Sequence, residues 1–594
     1  MSLSERLKIV LRKRFPRLLA RIENAEPLSG EVDSIRAMPE SSRDWEALVQ
    51  RWLDGIVLKP NSVLALTGFG DGSHVRALLD RLPQGTYVFC IEENVAAFRA
   101  IVEESEGLVG LLEDPRFFLG LGDLDQDCFE SLARLPTLEV QDASPLIFAP
   151  IYNRAPEYHG AFFTEFARNF DYWRKLFGTN VTASGKWQKN TFANLAMLMG
   201  APDVGELKDA FRGCSIILVS AGPSLDESIG FIEENRERCI IVAVNSSYRA
   251  LRNAGITPHF VLAADPYQYT DKGFEGVACD ETRLICPFIV CPNVVPRFEG
   301  RTFTWSQNNL LASNVRLSLG LEFGSRILEM GTVSACIFDV AEIFGCSRIF
   351  FVGQDLAAKA DGQLHAADSF YSDLYGNKVV MDNCRFMLGN TVDRVPVEEK
   401  LFVYLKTFEQ LAKERGSTLE LVNTSHFGAR IEGIPFVRLE EVSEGLAREE
   451  TVSWKAGIDR ASQLLEEAKK RSFGLDGELE RMSNFGRRVC ALALKGALVL
   501  ETGIKGKVVF VQLQIDEART IRGELDALFE SDSNLQQVLN DGSLKYELTL
   551  YARALQRVNA IEDPIARERE DCLEYFWAIA EGAFSFLSAN QLDK

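Results

Sequence analysis

The sequence predicts an α/β protein with two doubly wound domains, N-terminal and central, followed by an α-helical C-terminal domain. Two observations predict the α/β part: short apolar runs alternate with helical patterns, and polar residues follow several of those runs. A third observation predicts the helical part: apolar residues recur with helical spacing over residues 441–594, and Pro and Gly are few there. We expect domains at 1–180, 181–440 and 441–594, which suits a chain of 594 residues.

The N-terminal domain has the strand–turn–helix order of a Rossmann-like unit. An apolar run at 62–67 precedes the turn GFGDGS and the helical pattern HVRALLDRL, the next strand ends in Glu92, and a further strand is expected at 145–150. The turn resembles the mononucleotide-binding turn of methyltransferases, but its spacing is not a full GxGxxG. We interpret this domain as a Rossmann-like unit without a catalytic role, and the sequence leaves open whether it binds a ligand.

The central domain repeats this alternation. The predicted strands CSIILVS, IIVAVNS, HFVLAAD, SRIFFVGQD and TLELVNT are separated by helical patterns such as TVSACIFDVAEIFG and LFVYLKTFEQLAKERG. Strands of this kind, joined by helices, form parallel doubly wound sheets that bind ligands at the carboxyl ends of the strands. We therefore expect the functional site at that edge of the central sheet.

Charge and cysteine usage exclude several function classes. A net charge of −20 disfavours binding to nucleic acid and to anionic lipid. The 12 cysteines include no CxxC pair, which favours reduced, buried thiols. The sequence holds no apolar stretch of about 20 residues and no signal-peptide pattern, so we expect a cytoplasmic protein without a membrane span.

The turn SAGPSLD is the sharpest candidate for a binding site. It joins a predicted strand to a predicted helix, and Gly222 allows a ligand to approach the backbone. Pro223 suits the first turn of a helix, where Ser224 adds a hydroxyl and an N–H group. Since helix N-termini bind anions, a phosphate fits here, although an ordinary strand–helix turn would use the same small residues.

Polar residues also end the other predicted strands of the central domain. Asn245 can donate to and accept from a base or a ribose, and Asp265 could hold a ribose hydroxyl, a metal ion or a reacting group. Arg430 could supply positive charge for an anionic substrate. The further candidates at strand ends are Ser246, Gln354, Asp355, Asn423 and Thr424.

Two of the five histidines are candidates for a general base. His365 lies in the polar loop LAAKADGQLHAADSFY, which we interpret as a candidate lid, and His426 lies in NTSHFGAR. A loop histidine can take up a proton near neutral pH. A surface or turn role for either residue is equally open.

Five motifs in one order resemble the central domain of the motility accessory factor (Maf) family of flagellin glycosyltransferases. They are SAGPSLD, AVNSSYRALRNAGITPHFVLAADP, GTVSACIFDVAEIFG, FVGQDLA with the following HA, and NTSHFGARIEG. The resemblance covers about residues 215–435, and the flanking regions fit the family's layout.

This resemblance implies transfer of a nonulosonic acid, of pseudaminic or legionaminic type, from its CMP conjugate to Ser or Thr of flagellin. It implies a sialyltransferase-like central domain that needs no metal ion or other cofactor, and flagellin or a flagellin–chaperone complex as partner. Carried onto this chain, Gly222, Pro223 and Ser224 would hold the phosphate, Asn245 would contact the nucleotide near Asp265, and the donor or acceptor side would be lined by Gln354 and Asp355. The base would be His365 or His426.

Two alternatives remain open. The same domain resembles 6-hydroxymethylpterin diphosphokinase, which would use ATP and Mg²⁺, with Asp265 or Asp355 as ligands. The chain could also be a flagellin-binding assembly factor without enzymatic activity.

Overall fold

The computed structural model describes most of the 594 residues. The described ranges are 5–25, 42–104, 106–125, 128–129, 131–132, 135, 140, 142–306, 309–321, 324–328, 330–371, 378–471, 473–501, 508–540 and 563–589. Part of the helical pattern predicted over residues 441–594 lies outside these residues.

The chain forms two compact units, Met1–Thr182 and Ala183–Lys594. The second unit contains both the central sheet and the C-terminal helices. The further boundary that the sequence predicts after residue 440 stays a prediction.

The first unit contains a four-stranded parallel sheet in the order β3-β2-β1-β4. Strands β1, β2 and β3 are buried along almost their whole length, because helices cover a parallel sheet on both faces. The fourth strand ends four residues earlier than the sequence predicts, because Pro150 stands in the first turn of a short helix. The strands are β1 (Ser62–Thr67), β2 (Tyr87–Glu92), β3 (Phe117–Leu121) and β4 (Asp142–Leu146). The helices are Glu5–Arg14, Pro16–Asn24, Ser42–Asp54, Ser73–Leu79, Val95–Glu104, Glu106–Glu113 and Ala149–Tyr152, and Pro156–Leu198 runs from the first unit into the second.

The glycine-rich turn after β1 is filled by residues of its own unit. Gly68 has a φ of 69°, and a Cβ there would lie 1.9 Å from the Cγ2 atom of Ile151. The Glu92 carboxylate accepts hydrogen bonds from the N–H groups of Phe69 (2.9 Å) and Gly70 (3.2 Å). Glu92 thus binds two of the N–H groups that a phosphate would need in this turn.

The second unit contains a seven-stranded parallel sheet in the order β13-β10-β5-β6-β7-β8-β9. The chain builds the sheet outward from β5 to β9 and then returns to the other side of β5 with β10. The order therefore reverses between β5 and β10, and such a switch point is where open α/β sheets bind ligands. The strands are β5 (Ser215–Val219), β6 (Cys239–Val244), β7 (Phe260–Leu262), β8 (Arg283–Pro287), β9 (Thr302–Trp305), β10 (Arg348–Val352) and β13 (Glu420–Asn423).

An antiparallel ribbon, β11 (Cys384–Met387) with β12 (Val395–Glu398), is inserted between β10 and β13. The two faces of the seven-stranded sheet are covered by separate apolar clusters, one around Tyr248 and Phe298 and the other around Phe344 and Phe408. The α-helices from β5 onward up to residue 448 are Leu225–Asn235, Asn245–Asn253, Leu310–Ser318, Ile337–Phe344, Glu399–Arg415 and Leu439–Arg448.

The C-terminal part of the second unit is helical, as the sequence predicts. Small residues let its helices pack closely, since a Cβ at Gly496 would lie 2.4 Å from the Phe576 ring. No helix in the described part of the chain combines the length and the apolarity that crossing a membrane requires. The helices are Lys455–Ala468, Leu475–Glu501, Val508–Ser531 and Pro564–Ala589.

Candidate functional site

The turn after β5 and the end of β10 are joined directly at the switch point. The N–H of Gly222 donates to the carbonyl of Gly353 at 2.8 Å, and the hydroxyl of Ser220 donates to Oε1 of Gln354 at 2.6 Å. The structure therefore places the SAGPSLD turn beside Gln354 and Asp355, as expected for neighbouring parallel strands that end at one edge. We call this edge of the sheet the carboxyl edge.

Both polar groups of Ser224, its N–H and its hydroxyl, donate hydrogen bonds to Asp355. Its carboxylate accepts from the Ser224 N–H at 3.0 Å and from the Ser224 hydroxyl, while that hydroxyl accepts from the N–H of Phe427 at 3.0 Å. Burial raises the pKa of Asp355 to about 6, against the lowering effect of the Ser224 hydrogen bonds. Ser224 thus has an internal partner for each donor, and the phosphate contact assigned to Gly222, Pro223 and Ser224 stays a prediction.

Two glycines allow this close approach. A Cβ on Gly222 would lie 2.2 Å from the Asp355 carboxylate. Gly353 has a φ of 65°, and a Cβ there would lie 2.4 Å from the carbonyl oxygen of Ser220. Leu356 also has a positive φ, of 52°, so the backbone around Asp355 is held in a strained conformation.

Replacing Gly353 with alanine is expected to lower the free energy of unfolding by about 2–4 kcal/mol, because it adds a backbone clash to a left-handed conformation. The measurement is urea denaturation. Gly230→Ala is the matched control: Gly230 lies in the helix Leu225–Asn235, and no atom beyond its chain neighbours and its own stretch of helix backbone lies within 4 Å of an added Cβ. That change should stabilise by about 0.5–1 kcal/mol. Equal effects for the two variants would contradict the expectation.

Asn245 begins the helix that follows β6, the neighbour of β5 in the sheet. Its side chain is 3% exposed, and within the described residues its Nδ2 atom has no hydrogen-bond partner. A buried amide without a partner is unfavourable by roughly 1–3 kcal/mol unless a ligand or water binds it. The adjacent Ser246 is half-buried, and its carbonyl accepts from the Ser369 hydroxyl at 3.3 Å.

Asp265 follows β7, which is the next strand along the same edge. Its carbonyl oxygen is fixed by the Cys291 N–H (3.1 Å) and the Thr270 hydroxyl (3.2 Å), and its side chain is half-buried. Burial raises the pKa of the Asp265 carboxyl, and the positive charge of Lys400 opposes this effect.

Two asparagines of the helix Pro156–Leu198 hold the loops that follow β7 and β8. The Asn190 side chain donates to the carbonyls of Pro266 (2.8 Å) and Ile289 (2.9 Å). Asn194, one turn later, donates to those of Phe288 and Val290, both at 2.9 Å. Sequence reasoning missed both residues, although the i, i+4 spacing of buried asparagines on one helical face was a usable signal.

Lys400 is a second residue that sequence reasoning missed. It is exposed in the first turn of the helix Glu399–Arg415, and its Nζ atom lies 5.6 Å from the ring centroid of Tyr404. Its positive charge lowers the pKa of both Asp265 and His365. No local pattern in VPVEEK distinguishes it from a solvent lysine.

The loop interpreted as a candidate lid is hydrogen-bonded to the SAGPSLD turn and to the helix that follows it in this structure. The N–H of Ala366 donates to the carbonyl of Ala221 at 2.9 Å, and the N–H of Ala367 donates to the Asp226 carboxylate at 3.1 Å. His365 within this loop is half-buried and stacks on Tyr371 with ring centroids 5.0 Å apart. Burial and then the charge of Lys400 lower its pKa to about 4, against the effect of its hydrogen bond to the backbone of Ala221.

His365 is therefore expected to titrate near pH 4 in the folded protein, well below the usual 6.5. The folded state disfavours the proton, so its contribution to stability is present above about pH 6.5 and is lost as the pH falls towards 4. Histidine NMR titration, assigned through the resonance lost in His365→Gln, measures the midpoint. A midpoint near 6.5 would contradict this expectation.

The residues after β13 fall into two sets. Thr424 is buried and donates through both its N–H and its hydroxyl to the carbonyl of Phe351, while Oδ1 of the buried Asn423 accepts from the N–H of Ser425. These contacts fix the strand end. The side chains of His426 and Arg430 are exposed. Since β13 and β7 are separated by four strand spacings, about 19 Å, these strand ends do not meet at one point.

The structure thus gathers Gly222, Ser224, Gln354 and Asp355 into one bonded cluster and places Asn245 and Asp265 on the next two strands. Among the described residues, no group of three or more His, Cys, Asp and Glu side chains is arranged to hold a metal ion.

Comparisons with known proteins agree with this architecture. Residues 189–361 match the model of the 6-hydroxymethylpterin diphosphokinase MptE-like family. Among solved structures, a Maf glycosyltransferase from Magnetospirillum magneticum AMB-1 aligns with 99% of this chain and 95% of that chain, at a TM-score of 0.50 and 14% identity. The chain has the fold of a Maf glycosyltransferase. A search of curated proteins gives no match.

The likeness to the Maf structure confirms the predicted fold class of Rossmann-like parallel sheets with a helical C-terminal region. The MptE-like match spans β5 to β10 and includes Gly222, Asn245, Asp265 and Asp355. It ends before the helix that carries Lys400.

Proposed function

We propose that the protein is a glycosyltransferase that moves a nonulosonic acid, of pseudaminic or legionaminic type, from its CMP conjugate to Ser or Thr of flagellin. We place this activity in the cytoplasm, with flagellin or a flagellin–chaperone complex as partner. The observation that carries the proposal is the buried Asn245 amide, without a partner among the described residues, beside the Asp265 carboxylate on the next strand. The Maf fold supports it.

In the proposed reaction an acceptor hydroxyl attacks the anomeric carbon of the sugar acid. The bond from that carbon to the phosphate oxygen breaks, CMP leaves with the electron pair, and the hydroxyl proton passes to a base. Lys400 would stabilise the charge on the leaving phosphate, and Asn245 and Ser246 would bind the nucleotide. Asp265 and His365 are the candidate bases, since the charge of Lys400 acts on both and His365 is neutral at pH 7.

The remaining candidates have less direct roles. Asp355 and Gln354 would hold the SAGPSLD turn in shape, because they bind Ser224 and Ser220. His426 and Arg430 are exposed and stay candidates for the acceptor side. Asn423 and Thr424 would support the strand end.

Calorimetric titration with CMP, UMP, AMP and ATP, each with and without Mg²⁺, tests the nucleotide. We expect CMP to bind most tightly without a need for Mg²⁺, and Asn245→Ala to weaken CMP binding about tenfold or more. Co-expression with flagellin and a CMP-nonulosonate pathway, followed by intact mass spectrometry, tests the transfer. An unchanged flagellin mass in the presence of the folded wild-type protein and the CMP-linked sugar acid would overturn the proposal.

The family match over residues 189–361 favours one second candidate, a pterin-type diphosphokinase that uses ATP and Mg²⁺. Asp265 or Asp355 would then serve as metal ligands. The bonds from Ser224 to Asp355 would have to be exchanged for metal bonds in that case. Mg²⁺-dependent ATP binding tighter than CMP binding would favour this candidate.

A further inference from the structure

Two residues beyond Asp265, the chain presents a stacked pair of tyrosines. The rings of Tyr267 and Tyr269 have centroids 5.5 Å apart and planes 16° from parallel, and Tyr267 is 43% exposed. The Nζ atom of Lys186 lies 5.7 Å from the Tyr267 ring centroid. Tyr267 therefore presents a partly exposed aromatic ring with a cation close to it, two residues along the chain from Asp265 of the proposed nucleotide site.

The backbone that carries this pair is fixed at several points. The carbonyl of Pro266 accepts from Asn190, and that of Asp265 accepts from Cys291 and Thr270. The N–H of Thr270 in turn donates to the carbonyl of Tyr267 at 3.0 Å. A ring on a backbone held in this way loses little conformational freedom when a ligand stacks on it. The free energy of stacking is therefore not offset by the cost of ordering the loop.

We propose that Tyr267, backed by Tyr269 and assisted by Lys186, is the nucleobase subsite of this protein, and that it takes the pyrimidine ring of a nucleotide-activated sugar. Aromatic rings bind bases by stacking of the two flat faces. An ammonium group donates to the carbonyl oxygen that cytosine and uracil carry. The inference rests on the proposed function, because it assigns a binding position to the nucleobase of the proposed donor.

The spacing along the chain fits this assignment. Two residues of extended chain cover at most about 7 Å, so the Tyr267 backbone lies within that reach of Asp265. In a nucleotide the ribose is bonded directly to the nucleobase, so a carboxylate that binds the ribose hydroxyls lies close to the nucleobase as well. The ribose would then bind at Asp265 and the base at Tyr267, while the phosphate would extend towards the positive charge of Lys400.

Calorimetric titration of the full-length protein with CMP and with ribose 5-phosphate tests the subsite. Tyr267→Ala is expected to weaken CMP binding about tenfold or more and to leave ribose 5-phosphate binding unchanged. Tyr267→Phe keeps the stacking face and should bind CMP within about twofold of wild type. Lys186→Met should weaken CMP and UMP binding more than AMP binding, because adenine has no carbonyl.

Phe584→Ala is the control, since Phe584 is a 61% exposed aromatic residue on a C-terminal helix outside the proposed site. Unchanged CMP affinity in Tyr267→Ala would overturn the subsite while wild-type CMP binding upheld the proposed function. A raised KM for the acceptor with unchanged CMP affinity would overturn it in favour of an acceptor site.

If the wild type fails to bind CMP, the proposed donor fails, and UMP, AMP and GMP then test the subsite separately. Loss of UMP binding in Tyr267→Ala would uphold the pyrimidine subsite, whereas a purine nucleotide that the wild type binds more tightly than UMP would overturn it. Binding of no nucleotide would overturn both proposals. A circular dichroism spectrum equal to that of the wild type shows that each variant is folded.

Discussion

Asp265→Asn is expected to lower kcat/KM by roughly 10²–10³-fold and to leave the protein folded. Asparagine keeps the shape of the side chain, but it cannot take a proton at neutral pH. The backbone anchors of Asp265 are its carbonyl contacts with Cys291 and Thr270, and the substitution leaves them intact.

The effect on kcat and KM separates two roles of Asp265. A fall in kcat with KM unchanged identifies the general base, whereas a raised KM with kcat unchanged identifies a residue that only binds the ribose. The wild-type pH profile should lose activity on the acid side as Asp265 becomes protonated, and burial moves this limb above the usual pKa of a carboxyl. His365→Gln serves as the parallel variant for the other candidate base.

Asp280→Asn is the matched control, because Asp280 is an exposed aspartate between β7 and β8. It should turn over at the wild-type rate. Steady-state kinetics with flagellin and a CMP-linked sugar acid measure both variants. Full activity of Asp265→Asn would remove this carboxylate from the chemistry, and the same loss in both variants would show that the assay reports general surface charge.

The second large effect is expected on stability. Asp355→Ala should lower the free energy of unfolding by about 3–4 kcal/mol, because it leaves the buried N–H and hydroxyl of Ser224 without their acceptor. It also removes the side chain against which Gly222 packs. Urea denaturation followed by circular dichroism measures the change.

Asp355 also gives stability a defined pH dependence. Its pKa is about 6 in the folded protein and 3.8 when unperturbed, so the folded state binds the proton more tightly than the unfolded state. Stability from this group is therefore present at low pH and is lost as the pH rises from about 4 to 6. Asp355→Asn carries no titrating group and should lack this component.

Asp382→Ala is the control for the alanine variant, since Asp382 is exposed near the ribbon strand β11. A change within about 0.5 kcal/mol is expected for it. A urea midpoint for Asp355→Ala equal to that of the wild type would mean that water or another acceptor replaces the carboxylate. The hydrogen bonds of Asp355 would then contribute less to stability than expected.

Much of the fold was predictable because its signals are local. Short apolar runs such as SIILV and CIIVAV, each followed by turn residues or a helical pattern, indicated buried strands of a parallel sheet, and the helical period after residue 441 indicated helices. The polar residues at the strand ends followed from the same reasoning, since all parallel strands end at one edge. The predicted position of β4 was wrong because a short helix, with Pro150 in its first turn, begins at Ala149, where the sequence predicts that the strand continues.

The sequence by itself determined which strands carry polar ends and therefore where Gly222, Asn245 and Asp265 lie. Only the tertiary structure decided the partners of these residues: Asp355 binds Ser224 across 131 residues of chain, and Asn190 fixes the loop after Asp265. It likewise decided that the charge of Lys400 acts on Asp265 and His365. Such contacts depend on how distant segments pack, and hydrophobic periodicity describes only the segment in which it occurs.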